Sequence, residues 1–246
     1  MKGCDKMRLM LMIYYFFIGS CFASFYCVIA DRLPRKESLM AQQSFCSSCK
    51  HPLAFFDLIP VLSFLSLRGR CRYCQKRIKS NLLLFEVIGG SIFIITASHY
   101  QGFTFVFYSC FYSILFLVAV IDYYYFYIPD CLQLLLFIFT FFYHFANDSL
   151  NQLPIWFGIV MMLIVGISAS WFVPNGLGGG DMKLMAIFGF YFGFYASSAT
   201  LCLASLMGIV YLFILSRYKS TLFQPLIPFG PFLALSFFMI NEYFYL

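Results

Sequence analysis

Charge is scarce in this chain of 246 residues: 11% are Asp, Glu, Lys or Arg, where a soluble fold usually carries about 25%. That shortage excludes an ordinary water-soluble globule. There is no HExxH and no GxSxG, so the helix-borne zinc proteases and the nucleophile-elbow serine hydrolases are excluded. The three histidines are scattered along the chain. No glycine-rich loop follows a strand pattern, so nothing local marks a cofactor cradle. No internal repeat stands out. What is abundant is apolar: 62% of residues are hydrophobic and the mean hydropathy is +0.85. The aromatic excess of 34 Phe and 18 Tyr is spread through the apolar runs and reads as lipid-facing and interhelical packing, without a cofactor role.

Apolar runs of spanning or near-spanning length lie at about Leu9 to Ile29, Leu82 to Ser98, Phe103 to Ile121, Cys131 to Phe145, Ile155 to Val173 and Leu222 to Tyr243. Between the last two, Leu184 to Ser216 is long enough for two short helices folded back near Ala196 to Ser198. The expected fold is an all-α polytopic membrane protein, a bundle of about eight transmembrane helices carrying a cytoplasmic zinc-binding loop. Three parts are expected: a first transmembrane helix over 1–30, a Cys4 loop over 31–81 and a transmembrane bundle over 82–246.

Charge orients the helices. Ten of the sixteen Lys and Arg (Arg32, Arg35, Lys36, Lys50, Arg68, Arg70, Arg72, Lys76, Arg77, Lys79) fall between Asp31 and Ser80, against three acids. Positive loops stay inside, so this one faces the cytoplasm. Alternation then puts His99 to Gly102 and Asn147 to Leu153 outside, and Tyr123 to Pro129, Pro174 to Asp181 and the turn at Arg217 and Lys219 inside. Lys2, Lys6 and Arg8 oppose an external amino terminus and resemble the basic start of a signal peptide. Cleavage near Ala23 would export the most basic part of the chain, so the larger imbalance decides. The net charge of +6 reports topology; the implied partner is the lipid bilayer and not nucleic acid.

Cys46-Ser-Ser-Cys49 and Cys71-Arg-Tyr-Cys74 are two CxxC pairs separated by 21 residues, close to the spacing of a tetrahedral Cys4 zinc site. A reducing cytoplasm favours metal over disulfides. A closed Cys4 site would be structural, with no open position for a substrate. The alternatives are a redox pair or unrelated free thiols. His51 is a possible substitute ligand or an ordinary surface histidine. The remaining cysteines, mostly in apolar runs, read as small packing residues.

Two acids stand where apolar runs meet short polar loops. Asp122 opens DYYYFYIPD, and Asp181 closes the GGGD of Gly178 to Asp181. A carboxyl at membrane depth is costly unless it has a partner or lines water, so each is a candidate functional group. The plainer reading of Asp122 is a solvated helix end; that of Asp181 is an N-cap. Asp130, behind Pro129, reads as a helix-start acid. Gly178, Gly179 and Gly180 let the backbone approach an extended peptide closely. If Asp122 and Asp181 converge they share one proton, the arrangement of an aspartyl protease.

The GGGD followed by Met182-Lys183-Leu184-Met185-Ala186, the DYYYFYIPD stretch, and Leu58-Ile59-Pro60-Val61-Leu62-Ser63-Phe64 before Leu67-Arg68-Gly69-Arg70-Cys71 together resemble the type IV prepilin peptidases. These are bifunctional leader peptidases and N-methyltransferases of the GxGD aspartyl protease class. The resemblance runs from about Ala23 to Gly230. It implies that Asp122 and Asp181 are the catalytic dyad, with Gly178, Gly179, Gly180 and Lys183 shaping the backbone and the substrate's seat. It implies prepilin or pseudopilin substrates of type IV pili, type II secretion or competence, cleaved after a glycine on the cytoplasmic side of the bacterial cytoplasmic membrane. It also implies methylation of the new amino terminus with S-adenosylmethionine, with Glu86 in that half. The chain departs from the family at Ala23-Ser24-Phe25-Tyr26-Cys27, which lacks the usual asparagine. A second departure is Asn81 to Glu86, which keeps only the later Leu and the Glu. For Glu86, the resemblance and the residues leave three roles: holding a loop arginine, assisting methyl transfer, or pairing with Lys79 or Arg77 at a helix start. Two further function classes stay open: a transporter using its intramembrane carboxylates, and an assembly scaffold organised by the zinc loop.

Overall fold

The computed structural model describes residues 2–35, 44–172, 177–218 and 227–245. The described residues form eight α-helices: α1 Lys2–Arg32, α2 Leu62–Ser66, α3 Ser80–His99, α4 Gly102–Tyr125, α5 Asp130–Ala146, α6 Leu153–Phe172, α7 Gly179–Tyr218 and α8 Gly230–Tyr245, with one 3-10 turn at Phe55–Leu58. α1, α3, α4, α6 and α7 are each long and apolar enough to cross a membrane, and α5 is a shorter apolar helix. The chain is therefore a multi-pass, all-α membrane protein. Lys36, Val173, Pro174, Lys219 and the start of the run expected from Leu222 lie outside the described residues.

α7 contains the two helices expected between Leu184 and Ser216, but the break falls at Gly193 and not near Ala196 to Ser198. Gly193 takes φ 73° and ψ −175°, a conformation that costs a residue with a Cβ dearly. Ser197 and Ser198 instead stay helical and return their hydroxyls to the carbonyls of Gly193 and Phe194 at 2.6 and 2.7 Å. This back-bonding lets small polar residues persist inside a helix. Counting the two parts of α7 separately gives eight apolar helical segments beside the five-residue α2.

The chain forms two compact units, Met1–Ser113 and Ile114–Leu246. In the first, α1 packs along α3 through small residues: a Cβ placed on Gly19 would come within 2.5 Å of the Gly89 carbonyl oxygen. Small residues let helix backbones approach closely where lipid supplies no hydrophobic drive for association. In the second, α6 and α7 meet in the same way, a Cβ on Gly189 falling 2.5 Å from the Gly158 oxygen. α5 and α8 pack on α7. Buried Phe190 of α7 stacks on the exposed ring of Phe137 of α5. Buried His144 is fully engaged, Nδ1 with the Ser149 hydroxyl at 2.7 Å and Nε2 with the Phe190 carbonyl at 2.8 Å. It fixes α5 to α7 and has no lone pair left for chemistry.

In the first unit one residue of α3 ties together α1 and the segment between α1 and α3. Buried Glu86, 5% exposed, accepts a hydrogen bond from the Ser24 hydroxyl at 2.9 Å on Oε1 and from the Val61 backbone N–H at 2.7 Å on Oε2. Val61 sits at φ 61°, which is costly for a β-branched residue, and the charge-assisted bond from its amide helps hold it there. We expect Glu86→Ala to cost about 1–3 kcal/mol by orphaning that amide, read as faster tryptic cutting between α1 and α3. Glu86→Gln, which keeps an acceptor, should lose less; equal loss for both would remove the Val61 bond from the account.

Candidate active site

The second unit assembles its polar groups where four helix ends meet. Asp122 lies one turn from the end of α4 and is 6% exposed. Its Oδ2 accepts the backbone N–H of Gly230, the first residue of α8, at 2.8 Å. Gly230 has no room for a side chain, since a Cβ there would stand 2.9 Å from that same oxygen. The amide of a helix's first turn has no intrahelical partner and favours negative charge, so α8 begins on the Asp122 carboxyl.

Asp181 is the third residue of α7. The backbone N–H of Gly178, directly before the helix, hydrogen-bonds its carboxyl. This is the acidic arm of a capping box, with the side chain reaching back from the third helical position; Asp181 is not itself the N-cap. Its Oδ1 is buried and has no hydrogen-bond partner. Buried polar atoms are nearly always paired, so this oxygen is free to take a water or a substrate group. The Asp122 carboxyl acts electrostatically on Asp181, so two acids 59 residues apart in sequence (181 − 122) belong to one cluster of helix ends.

The start of α7 is tied to the start of α5. Gln133, 3% exposed, donates from Nε2 to the Gly180 carbonyl at 3.2 Å, and a Cβ on Gly180 would meet Ile128 at 3.0 Å. The Gln133 Oε1 is the second orphaned buried oxygen of this region. Lys183 pairs with Asp130 at 2.6 Å, both exposed, which accounts for both residues as a surface link between α5 and α7. A Cβ on Gly179 would meet nothing within 4 Å, leaving open space beside the backbone next to Asp181.

The cysteines occupy the first unit. The Sγ atoms of Cys46, Cys49, Cys71 and Cys74 all lie within 4.8 Å of one another, and Cys46 and Cys74 are 3.9 Å apart. A tetrahedral site with Zn–S bonds of about 2.3 Å needs sulfurs about 3.8 Å apart, so the cluster fits a metal ion. The two CxxC turns share one geometry. Cys46 N–H donates to His51 O and Lys50 N–H to Cys46 O; Cys71 N–H donates to Lys76 O and Gln75 N–H to Cys71 O. Lys50 and Gln75 both take left-handed backbone, φ 59° and 58°. Backbone amides of Cys49 and Ser48 aimed at the Cys46 sulfur lower its thiol to about 6, a thiolate suited to metal ligation. Exposed His51 is outside the cluster, its ring stacked on Tyr73 at 3.6 Å.

Sequence reasoning overlooked three participants. Gly230 meets Asp122 and Gln133 meets the Gly180 carbonyl only through the fold; the flanking Pro228 and Pro231 are the sole local hint that Gly230 opens a turn into a helix. Val61 as the partner of Glu86 carried no signal, because any backbone amide could have served.

The match to known proteins covers both units. Residues 17–100 match the bacterial peptidase A24 N-terminal domain, and residues 109–213 match the type IV leader peptidase family. A prepilin leader peptidase/N-methyltransferase of Bacillus subtilis (strain 168) is 30% identical over 203 residues, covering 80% of this chain and 79% of the relative. The protein of the same description from Klebsiella pneumoniae is 32% identical over 218 residues, 78% of this chain and 90% of the relative. That of Vibrio cholerae serotype O1 is 27% identical over 251 residues, 95% and 97%. No solved structure matches the chain. With the two family domains in order along one chain, and relatives matched over most of their length, this protein belongs to the type IV leader peptidase family.

Proposed function

We propose that the chain is a membrane aspartyl endopeptidase that removes the leader peptide of prepilin-like proteins at the cytoplasmic face of the bacterial cytoplasmic membrane. The supporting observation is the convergence of two carboxyls, Asp122 on the first amide of α8 and Asp181 with its buried, unpartnered Oδ1. Two interacting acids in one buried site share a proton between them when substrate is cut. The ionised carboxylate takes a proton from a water as that water attacks the scissile carbonyl carbon, and the protonated acid donates to the carbonyl oxygen. When the tetrahedral intermediate collapses, the C–N bond breaks and the departing amine takes up the proton drawn from the water. The other proton returns from oxygen to the dyad, which is restored without an acyl-enzyme. Gly179, with open space beside it, lets an extended substrate backbone approach Asp181. The orientation follows from the basic segment between α1 and α3.

The four-cysteine cluster fits Zn2+, held by Cys46, Cys49, Cys71 and Cys74. When bound, the ion would balance the thiolates and cross-link the two turns as a closed structural site. For methylation the geometry is less forthcoming. Both oxygens of Glu86 are engaged by Ser24 and Val61, so its carboxyl serves the fold of the first unit. Hydrolysis is the half of the reaction that the site supports.

Incubating the detergent-solubilised chain with a prepilin and weighing the product tests both halves. Loss of the leader at the glycine is expected, and an intact prepilin would refute the peptidase reading. A product carrying one added methyl group would show that the chain also transfers methyl groups.

A further inference from the structure

The segment between α1 and α3 carries apolar side chains that neither the dyad nor the cysteine cluster uses. Phe55 and Phe56 are 77% and 71% exposed, and Leu58, Leu62 and Leu65 are 45%, 49% and 60% exposed. They belong to the 3-10 turn and to α2, the two elements flanking Val61. Five large apolar side chains presented to water in so short a stretch mark an interaction surface.

The fold states how deep this surface lies. Val61 is hydrogen-bonded to Glu86, which follows the first residue of α3, Ser80, by six positions, or about 9 Å along the axis at 1.5 Å per residue. α3 has 20 residues, and a helix of that length just spans a hydrocarbon core of about 30 Å. Helical side chains lean toward the amino terminus, so Glu86 offers its carboxyl toward the headgroups, and Val61 meets it at the hydrocarbon boundary. The turn and α2 are therefore held at that boundary and not out in solution.

Their setting is rigid and cationic. Asp57 in the turn bonds back to the Ala54 amide at 3.4 Å and pairs with Arg72 of the second CxxC at 2.8 Å. Its side chain is only 4% exposed, and it is the one acid between residues 44 and 79. Arg68, Arg70, Arg72, Lys76, Arg77 and Lys79 are all exposed. Exposed apolar side chains on a segment that also carries those six exposed cations and no exposed acid match an anionic lipid interface, where aromatic rings enter the acyl boundary and cations meet headgroup phosphates.

We infer that Phe55–Leu65 is an interfacial membrane anchor that seats the cysteine-bearing segment on anionic lipid through Phe55, Phe56, Leu58, Leu62 and Leu65. The segment would sit there whether or not the aspartates are catalytic.

Full-length protein with Trp156→Phe and Trp171→Phe, reconstituted in phosphatidylglycerol vesicles, carries one reporter at a time: Phe56→Trp, Phe55→Trp, or Lys76→Trp as a control among the cations. Lipids brominated on the acyl carbons nearest the headgroup should dim the reporters at 55 and 56 about twofold and spare the one at 76, with iodide acting in the reverse order. Replacing phosphatidylglycerol by phosphatidylcholine should raise iodide access at 55 and 56. Reporters at both positions that are open to iodide and untouched by brominated lipid would overturn the anchor. So would reporters that become shielded only when a prepilin is added, which would make the surface a substrate seat. If one substituted chain fails to reconstitute, the other of the pair decides.

Discussion

Asp122→Asn and Asp181→Asn should each lower kcat/KM for prepilin cleavage by at least about a thousandfold, since each removes a proton-transfer group whose contribution is typically about 10² to 10⁴ and breaks a pair that acts as one unit. Asparagine keeps the shape and an acceptor oxygen, so the Gly230 amide is still received at position 122 and the Gly178 amide at position 181. Thermal unfolding should hardly move while kcat falls and KM stays. The double variant should be no slower than the worse single one, because a dyad that has lost one member has little left to lose. Asp130→Asn supplies the contrast: its bond to Lys183 joins two exposed side chains, a kind of pair that contributes about 0–1 kcal/mol, and cleavage should survive. Normal cleavage by either Asp122→Asn or Asp181→Asn would end the dyad mechanism; loss with Asp130→Asn would mean that the ion pair does more than link α5 to α7.

The aspartates could be singled out in the sequence because carboxyls beside apolar runs are rare enough to need a reason. Their surroundings could not. Gly230 lies 108 positions after Asp122, and the amide that meets the carboxyl is chosen by how α8 docks, which no local pattern records. Gln133 looks from sequence like one polar residue early in an apolar helix; only the packing of α5 on α7 turns it into a donor for Gly180. The break in α7 shows a different limit. A cluster of small polar residues, Ser197 and Ser198, seemed the natural place for the chain to turn, yet those hydroxyls are satisfied by carbonyls one turn back, and Gly193, at φ 73° and ψ −175°, breaks the helix instead. Glu86 illustrates a third: an acid near many Lys and Arg invites an ion pair, but burial rewards short, well-aimed donors, and a backbone amide and a serine hydroxyl hold it. The cysteine cluster was readable almost entirely, since two CxxC turns bring their sulfurs together through local backbone geometry that the motif itself dictates.

Stripping the metal from the cysteine cluster should undo the two cysteine turns between α1 and α3. Between residues 44 and 79 only Pro60, Gly69 and Cys71 are buried, and its paired extended residues amount to the single bridges Phe45 with Pro52 and Arg70 with Arg77. No hydrophobic core of that size offsets the chain entropy of about 1–2 kcal/mol per ordered backbone residue. A Cys4 zinc site supplies about 10–16 kcal/mol in comparable small folds, which is the right scale. Wild-type protein made in a reducing cytoplasm should therefore carry about one zinc per chain by elemental analysis, and Cys46→Ser or Cys71→Ser should carry none. Chelation of the wild type, or either substitution, should make Arg70, Arg72 and Lys76 cut by trypsin at rates orders of magnitude faster, since local opening then costs almost nothing. The Glu86 bond to Val61 would persist, so cutting should concentrate in the cysteine turns and spare the residues next to α2. A zinc-free wild-type chain whose turns still resist trypsin would show that the sulfurs converge for another reason, and the structural metal would have to be given up.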